Sequence, residues 1–133
     1  MLEANKRVAD IEIYERMIVA IQGYFGGKNI QYMFLHGGCH WLATTLQRYI
    51  PDSVIVFNRK MQHCASLLNN GVYDIQGRIP SSGFFVATTA DIKYMQKHFV
   101  PTFDVKALEN HLNIMMNKNR GKEDIVCGKM KII

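Results

Sequence analysis

The segment HGGCHWLATTLQRY, residues 36–49, places a cysteine where a thiol can act as a nucleophile. Cys39 follows Gly37 and Gly38 and stands at the first position of a predicted helix. The first turn of a helix carries partial positive charge and N–H groups without intrahelical acceptors. Such a position favours a thiolate, and its N–H groups can stabilise an oxyanion. The two glycines would let a substrate approach the sulfur closely. The alternative role for Cys39 is that of a small apolar packing residue.

A second segment, MQHCASLLNNGVYDIQG at residues 61–77, supplies a base and a carboxylate. The sequence predicts His63 in the strand before the Asn-Asn-Gly turn and Asp74 in the strand after it. A histidine oriented by a carboxylate from the neighbouring strand is the arrangement of a catalytic triad. Here His63 would hold or take the thiol proton, while Asp74 would fix the imidazole tautomer and stabilise the imidazolium.

The expected register of this hairpin does not bring the two side chains together. A two-residue Asn-Gly turn at 70–71 pairs His63 with Arg78 and places Asp74 opposite Leu67. Asp74 then shares a face with His63 but lies four residues along it. Strand twist or a bulge must close that gap, or another group must orient His63.

Two adjacent pairs, Cys39-His40 and His63-Cys64, raise a zinc site as another interpretation, since zinc takes four nitrogen and sulfur ligands. Adjacent side chains diverge by about 100° on a helix and point to opposite faces of a strand. Both members of a pair therefore reach one metal with difficulty. We predict no metal and no organic cofactor, and assign His40 and Cys64 to packing or support.

The elements that must position these residues follow from apolar periodicity. One apolar stripe predicts a helix over 4–25, formed by Ile11, Tyr14, Ile18, Ile21 and Phe25. A second helix over 39–49 turns Leu42, Leu46 and Tyr49 inward and ends before Pro51. Helices are also expected over 89–99, capped by Thr89, and from Asp104 onward. Strands are predicted at 53–57, 61–68, 72–76 and 84–87, and residues 29–35 read as short and extended.

Together these elements predict one α+β domain over residues 1–133. Its centre would be an antiparallel sheet of about four strands. The helix that carries Cys39 would pack on this sheet, with the other helices flanking it.

The order and spacing of the chemical residues resemble a known superfamily. The matching residues are Cys39, Leu42, Ala43 and Leu46, followed by His63, Asn70-Gly71, Tyr73, Asp74 and Gly77. This set is similar to the NlpC-type and transglutaminase-like branches of the papain-like cysteine peptidases, and most similar to small bacterial and phage proteins. It covers residues 36–77, about a third of the chain.

The resemblance implies a papain-like fold and a hydrolase or acyltransferase that acts on amide bonds through a thioester intermediate. Peptides, proteins and cell-wall amides are the implied substrates. Relatives commonly place an oxyanion-hole side chain before the cysteine, for which Gln31, Tyr32 and His36 are the candidates here. The second hypothesis is a non-catalytic binding protein, such as a phage or mobile-element inhibitor that keeps the fold. Small size, net charge and the 24-residue spacing from Cys39 to His63 favour it.

Charge and composition set the remaining expectations. The net charge is +5, and basic residues gather near the C-terminus at Lys118, Arg120, Lys122, Lys129 and Lys131. These residues read as a solvated tail or as a site for an acidic partner; no signature of nucleic-acid binding accompanies them. No apolar run is long enough for a membrane span. Three cysteines at irregular spacing and no signal peptide predict a reducing, cytoplasmic location, unless a longer precursor is exported.

Overall fold

The computed structural model describes the backbone of residues 2–28, 30–69 and 71–128, and the side chains of 9–28, 30–69 and 71–117. These residues form an α+β fold. The helices are α1 (Leu2–Tyr24), α2 (Gln31–Leu35), α3 (Cys39–Tyr49), α4 (Thr89–His98) and α5 (Val105–Gly128). The strands are β1 (Val54–Asn58), β2 (His63–Leu68), β3 (Gly71–Asp74), β4 (Gly77–Ile79) and β5 (Phe85–Val86).

The sheet is antiparallel throughout its described strands and has the order β4-β3-β2-β1-β5. It has five strands rather than about four, because the three-residue strand β4 follows a tight turn after Asp74. Gly77, with φ of 112°, opens this strand in a conformation that glycine adopts easily. The predicted strand over 72–76 therefore ends early, at Asp74. The central strand, β2, begins at His63 and so carries the expected base.

Helix α3 has the bounds that the sequence predicts, and it packs against β2. Leu42 and Leu46 are buried and contribute to the main core with Met17 and Ile21 of α1 and Leu108 of α5. This core lies between the helices and one face of the sheet. It holds the start of α3, and thus Cys39, against the strand that carries His63.

Helix α2 is a difference from the sequence-based expectation, which made residues 29–35 extended. Within the described residues, Gln31–Leu35 is helical and buries Phe34 completely. The ring of Phe34 packs at 5.0 Å from Phe103 and 6.0 Å from Trp41, measured between ring centroids. One turn of helix is too short to show a period, and its partners are distant in sequence. Local pattern therefore could not reveal it.

The last two helices also depart from expectation in detail. The cap of α4 is Thr88 rather than Thr89: its hydroxyl accepts from the Asp91 N–H, while the Asp91 carboxylate accepts from the Thr88 N–H. This reciprocal pair is a capping box. The helix expected from Asp104 onward begins at Val105, and its backbone stays helical to Gly128. Lys129, Lys131, Ile132 and Ile133 lie outside the described residues.

Helices α3 and α5 are joined by polar contacts around one carboxylate. Trp41 Nε1 and Arg48 Nη2 both donate to Glu109 Oε2, at 3.0 and 2.9 Å. One turn further on, the Tyr49 hydroxyl donates to Asn113 Oδ1 at 2.6 Å. Trp41 thus joins helix α3 to helix α5. Within the described ranges, no helix is both long and apolar enough to cross a membrane.

We predict that Leu46→Ala lowers the free energy of unfolding by about 2–5 kcal/mol, the usual range for a buried leucine truncated to alanine. Leu46 is fully buried, at 0% exposure, so the change leaves a cavity in the core. Urea unfolding measures the loss. Val19→Ala, at a position that is 67% exposed, is the matched control and should change stability by less than about 0.5 kcal/mol. Equal losses in both variants would mean that Leu46 is not a core residue.

We predict that Glu109→Gln lowers stability by about 1–2 kcal/mol at neutral pH, because two donors lose a charged acceptor. The hydrogen bond from Trp41, followed by that from Arg48, lowers the pKa of Glu109. A carboxyl group whose pKa is lower in the folded protein than in the unfolded chain stabilises the fold at pH values above the unfolded-state pKa. This stabilisation is lost as the pH falls through the folded-state pKa. The difference between wild type and variant should therefore shrink below about pH 4. The exposed Glu12→Gln is the control, and a pH-independent difference would contradict this assignment.

Candidate active site

Cys39 is the first residue of α3, as predicted. The residue before it, Gly38, has no side chain with which to cap the first turn, and its carbonyl accepts the Leu42 N–H at 3.0 Å. The first N–H groups of a helix have no intrahelical acceptors, so this end can donate hydrogen bonds to an anion that forms next to the sulfur.

The two glycines before Cys39 have a different role from the expected one. A Cβ at Gly37 would lie 2.5 Å from the Val100 carbonyl oxygen, and one at Gly38 would lie 2.7 Å from the Met33 oxygen. Gly37 also has φ of 107°, which disfavours other residues. Glycine is therefore required by close packing of the backbone on both sides. These contacts fix the start of α3.

His63 and Asp74 are in direct contact. The distance from His63 Nε2 to Asp74 Oδ2 is 2.8 Å, and the two residues are buried, at 7% and 2% exposure. His63 is the first residue of β2, and Asp74 is the last residue of β3. The structure thus brings together the two groups that the sequence proposed as base and orienting carboxylate.

The contact arises because the β2–β3 turn differs from the predicted one. Leu68 pairs with Gly71, whereas the predicted turn would pair Asn69 with Val72. Asn69 has a positive φ of 58°, a conformation that asparagine tolerates well. The register therefore shifts by two residues and places Asp74 opposite Ala65, diagonal to His63 on the same face. Diagonal cross-strand neighbours are within reach of long side chains, and no bulge is needed.

Cys39, His63 and Asp74 form a row of three side chains. The Cys39 thiol lies beside the His63 ring, close enough to raise the pKa of His63. Because Nε2 contacts Asp74, Nδ1 is the ring nitrogen left for the sulfur. Burial alone would lower the pKa of His63, but the hydrogen bonds and charges of Asp74 and Cys39 outweigh it and raise this pKa to about 9. His63 is consequently protonated near neutral pH, the form in which an imidazolium stabilises a neighbouring thiolate.

Gln76 is a site residue that the sequence-based reasoning missed. Its backbone N–H donates to Asp74 Oδ1 at 2.8 Å, and its side-chain amide donates to Oδ2 at 3.2 Å. The first contact is an Asx-turn, in which an aspartate accepts from the backbone two residues on, and Asp-x-Gln-Gly is a sequence signal for it. In addition, Tyr14 of α1 donates its hydroxyl to the Asp74 carbonyl. Asp74 is therefore held at both carboxylate oxygens and at its backbone carbonyl.

The surroundings of the sulfur are apolar and closed. Cys39 is 2% exposed and belongs to a buried cluster with Ala43, Phe57, Cys64 and Met95. Burial is the larger cause, and the charge of Cys39 the smaller one, of a pKa of the Cys64 thiol far above its usual range. Cys64 is thus a poor nucleophile, and Cys39 is the described cysteine with a base beside it.

A pocket of about 440 Å³ is lined in part by His63 and Asp74. Ten residues line it: Leu35, His36, Met61, His63, Asp74, Gln76, Ile79, Pro80, Ser82 and Phe84. Cys39 is not among them. Of the three oxyanion-hole candidates, His36 lines this pocket, and Tyr32 stacks on His36 with ring centroids 4.3 Å apart. Gln31 is exposed outside the lining.

The residues considered for a zinc site have other surroundings. His40 is half-buried, its Nε2 has no hydrogen-bond partner among the described residues, and burial lowers its pKa. Cys64 packs in the apolar cluster, and His63 is engaged with Asp74. Within the part of the chain that the structure describes, no group of three or more His, Cys, Asp or Glu residues is arranged to hold a metal ion.

Fold and site define an α+β protein in which a thiol, an imidazole and a carboxylate form one buried row. The model of the family described as Phage YunG-like protein matches residues 17–113. Because this match covers more than half of the chain and includes all three residues of the row, the protein belongs to that family. Neither a curated protein nor a solved structure matches the chain.

The raised pKa of His63 predicts how stability depends on pH. A histidine whose pKa is higher in the folded protein than in the unfolded chain stabilises the fold fully at pH values below its unfolded-state pKa, near 6.5. This stabilisation is lost as the pH rises through the folded-state pKa of His63, about 9. Wild type should therefore lose stability over this range, by at most about 3 kcal/mol for a shift of this size. Urea unfolding at pH 6, 7, 8 and 9 measures it. Asp74→Asn and His63→Gln should flatten the profile.

The control for this pH profile is His98→Ala, which removes an exposed histidine of α4 outside the row. It should keep the wild-type slope. If His63→Gln also keeps that slope, protonation of His63 is not the cause of the pH dependence of stability.

Proposed function

We propose that the protein is a papain-like cysteine hydrolase or acyltransferase that acts on amide or peptide bonds. One observation carries this proposal: Cys39, at the start of a helix, lies beside His63, whose Nε2 is 2.8 Å from the buried carboxylate of Asp74. A nucleophile, a base and a group that orients the base are the three parts of a covalent catalytic site.

The chemistry begins with attack of the Cys39 thiolate on the substrate carbonyl carbon. The C–S bond forms, and the negative charge moves to the carbonyl oxygen. His63, in its imidazolium form, then gives its proton to the leaving nitrogen. The C–N bond breaks, the amine departs and Cys39 holds the acyl group as a thioester.

The second half reverses these roles. Neutral His63 takes a proton from water, or from an acceptor amine, as that molecule attacks the thioester carbonyl. Collapse of the tetrahedral intermediate breaks the C–S bond and releases an acid or a new amide. Throughout, Asp74 keeps Nε2–H donating to its carboxylate, which leaves Nδ1 to exchange the proton with sulfur and substrate.

The oxyanion would be stabilised by the Cys39 backbone N–H and by one donor from the preceding segment. His36 is the favoured donor among the three candidates, because it lines the pocket that His63 and Asp74 also line. Tyr32 would support His36 through their ring stack. The backbone donor does not depend on side-chain identity, so the helix start supplies the constant part of this site.

Placement of the row supports the papain-like assignment within the proposal. The nucleophile begins a helix packed on an antiparallel sheet, the base begins the central strand, and the carboxylate ends the adjacent strand. Peptides, proteins and cell-wall amides are the substrate classes compatible with this chemistry. A single domain over residues 1–133, a cytoplasmic location and the lack of a cofactor stay predictions.

A second candidate function is that of a binding protein that keeps this row without turnover. The observation that favours it is the enclosure of the nucleophile: Cys39 is 2% exposed and does not line the pocket beside His63. A substrate must then reach the sulfur through a rearrangement of its apolar surroundings. Thiol reactivity in the folded protein separates the two candidates.

We predict that iodoacetamide alkylates Cys39 at pH 6 at least about tenfold faster than it alkylates an ordinary thiol, whose pKa is near 8.5. The reason is the imidazolium beside the sulfur. Rates are measured from pH 5 to 9 in wild type, His63→Ala, Asp74→Asn and the control His98→Ala, and the modified cysteine is mapped by mass spectrometry. His63→Ala and Asp74→Asn should shift the profile to higher pH, while His98→Ala should not.

Each alternative has its own signature in the same experiment. Coincident profiles for all four proteins would show that no triad operates. A shift in His63→Ala without one in Asp74→Asn would reduce the site to a Cys39–His63 pair. A folded wild type whose Cys39 resists alkylation at every pH would support the binding protein.

A further inference from the structure

The pocket beside His63 has walls that the structure fixes in place. Two loops supply much of its rim, Met61 from the β1–β2 turn and Ser82 and Phe84 from the segment before β5. Asn58, buried at 3% exposure, joins these loops: its Oδ1 accepts the Met61 N–H at 3.0 Å, and its Nδ2 donates to the Ser82 carbonyl at 3.5 Å. The pocket is therefore built into the fold instead of being a gap between two loose loops.

Packing around Asn58 shows how closely the second loop is seated. A Cβ at Gly83 would lie 2.7 Å from Asn58 Nδ2, and Gly83 has φ of 86°. On the inner side, the Phe84 ring meets the His63 ring edge-on, with centroids 6.0 Å apart. An aromatic wall and the proposed general acid therefore face the same cavity.

The charges around the pocket decide what it accepts. Its ionisable lining residues are His36, His63 and Asp74, and the carboxylate of Asp74 is already engaged by His63 and Gln76. Both oxygens of the Asp74 carboxylate are engaged by His63 and Gln76, so a cationic side chain finds no free acceptor there, and an anionic side chain meets the same carboxylate. The remaining walls are mostly apolar: Leu35, Met61, Ile79, Pro80 and Phe84.

The position of the pocket relative to the row decides which part of a substrate enters it. His63 lines the pocket and Cys39 does not. In the proposed reaction, His63 protonates the leaving nitrogen and later deprotonates the acceptor, whereas the acyl group stays on the sulfur. The pocket is thus next to the amine side of the scissile bond.

We propose that this pocket binds an apolar side chain, of leucine or phenylalanine size, on the amine that leaves or accepts the acyl group. The inference rests on the proposed function and adds a specificity to it. Burial of such a side chain is worth enough to favour it at least about tenfold over glycine. A lysine or aspartate side chain gains no such preference, because a charge loses water without gaining a partner.

Acyl transfer to matched amines tests this specificity. p-Nitrophenyl acetate acetylates Cys39 with release of p-nitrophenolate, and the acetyl thioester is then divided between water and an added amino-acid amide. Leucinamide, phenylalaninamide, glycinamide, lysinamide and aspartic acid α-amide have similar α-amines, so the ratios of their N-acetyl products report side-chain preference. We expect leucinamide and phenylalaninamide to exceed glycinamide at least about tenfold.

A charge placed at the pocket rim gives the matched variant. Met61→Asp should lower the leucinamide-to-glycinamide ratio and raise the lysinamide-to-glycinamide ratio, because it replaces an apolar wall by a carboxylate. Met61 is 67% exposed, so the fold should tolerate the change. Val19→Asp, at an α1 position that is also 67% exposed, should leave both ratios at their wild-type values. These product ratios do not depend on how fast Cys39 is acetylated, because every amine reacts with the same acetyl thioester.

The outcomes separate this inference from the proposed function. Acetylation of Cys39 followed by equal transfer to all five amines would overturn the pocket specificity and leave the nucleophile intact. If Cys39 is never acetylated, the proposed function fails, and the pocket is judged by binding alone. Titration of protein labelled with ¹³C-methyl methionine should then shift the Met61 signal with leucinamide and not with glycinamide or lysinamide; no shift would refute the pocket.

Discussion

The buried carboxylate of Asp74 is the constraint on which the rest of the site depends. At 2% exposure it is a charge largely removed from water, and such a charge is tolerated in a protein only when it is paired and hydrogen-bonded. His63 supplies the counter-charge, while Gln76 supplies two donors. Tyr14 holds the backbone of the same residue, which ties the sheet to α1. Asp74 is therefore fixed in position by the sheet register, the β3–β4 turn and the first helix together.

The register predicted from the sequence differs from the observed one by two residues, for a physical reason. Asn69, Asn70 and Gly71 all tolerate positive φ, so a two-residue turn fits at 69–70 or at 70–71. The two registers differ by two residues, and side chains alternate with period two, so both keep the same side chains on the same face. Apolar pattern cannot distinguish them. What separates the two is the contact between His63 and Asp74, which only the first register allows.

Other parts of the fold were predictable to the degree that their causes are local. Helix α3 matched its prediction because a glycine pair precedes it, a proline follows it and Leu42 and Leu46 mark its buried face. Helix α2 did not, since its single turn is stabilised by contacts of Phe34 with residues far along the chain. Gln76 has a local signal, the Asx-turn, but its role in the site depends on the burial of the Asp74 carboxylate, which the local sequence does not reveal.

The same packing that aligns the nucleophile also encloses it. Gly37 lies directly against the Val100 backbone, in the segment that follows α4, and Met95 of α4 belongs to the apolar cluster around Cys39. Access to the sulfur is thereby linked to the position of α4. His63 contacts the sulfur and also lines the open pocket. An incoming group that fills the pocket therefore meets the imidazole before it meets the thiol. This order suits a reaction in which the leaving or accepting amine exchanges its proton with His63 while the acyl group is held on Cys39.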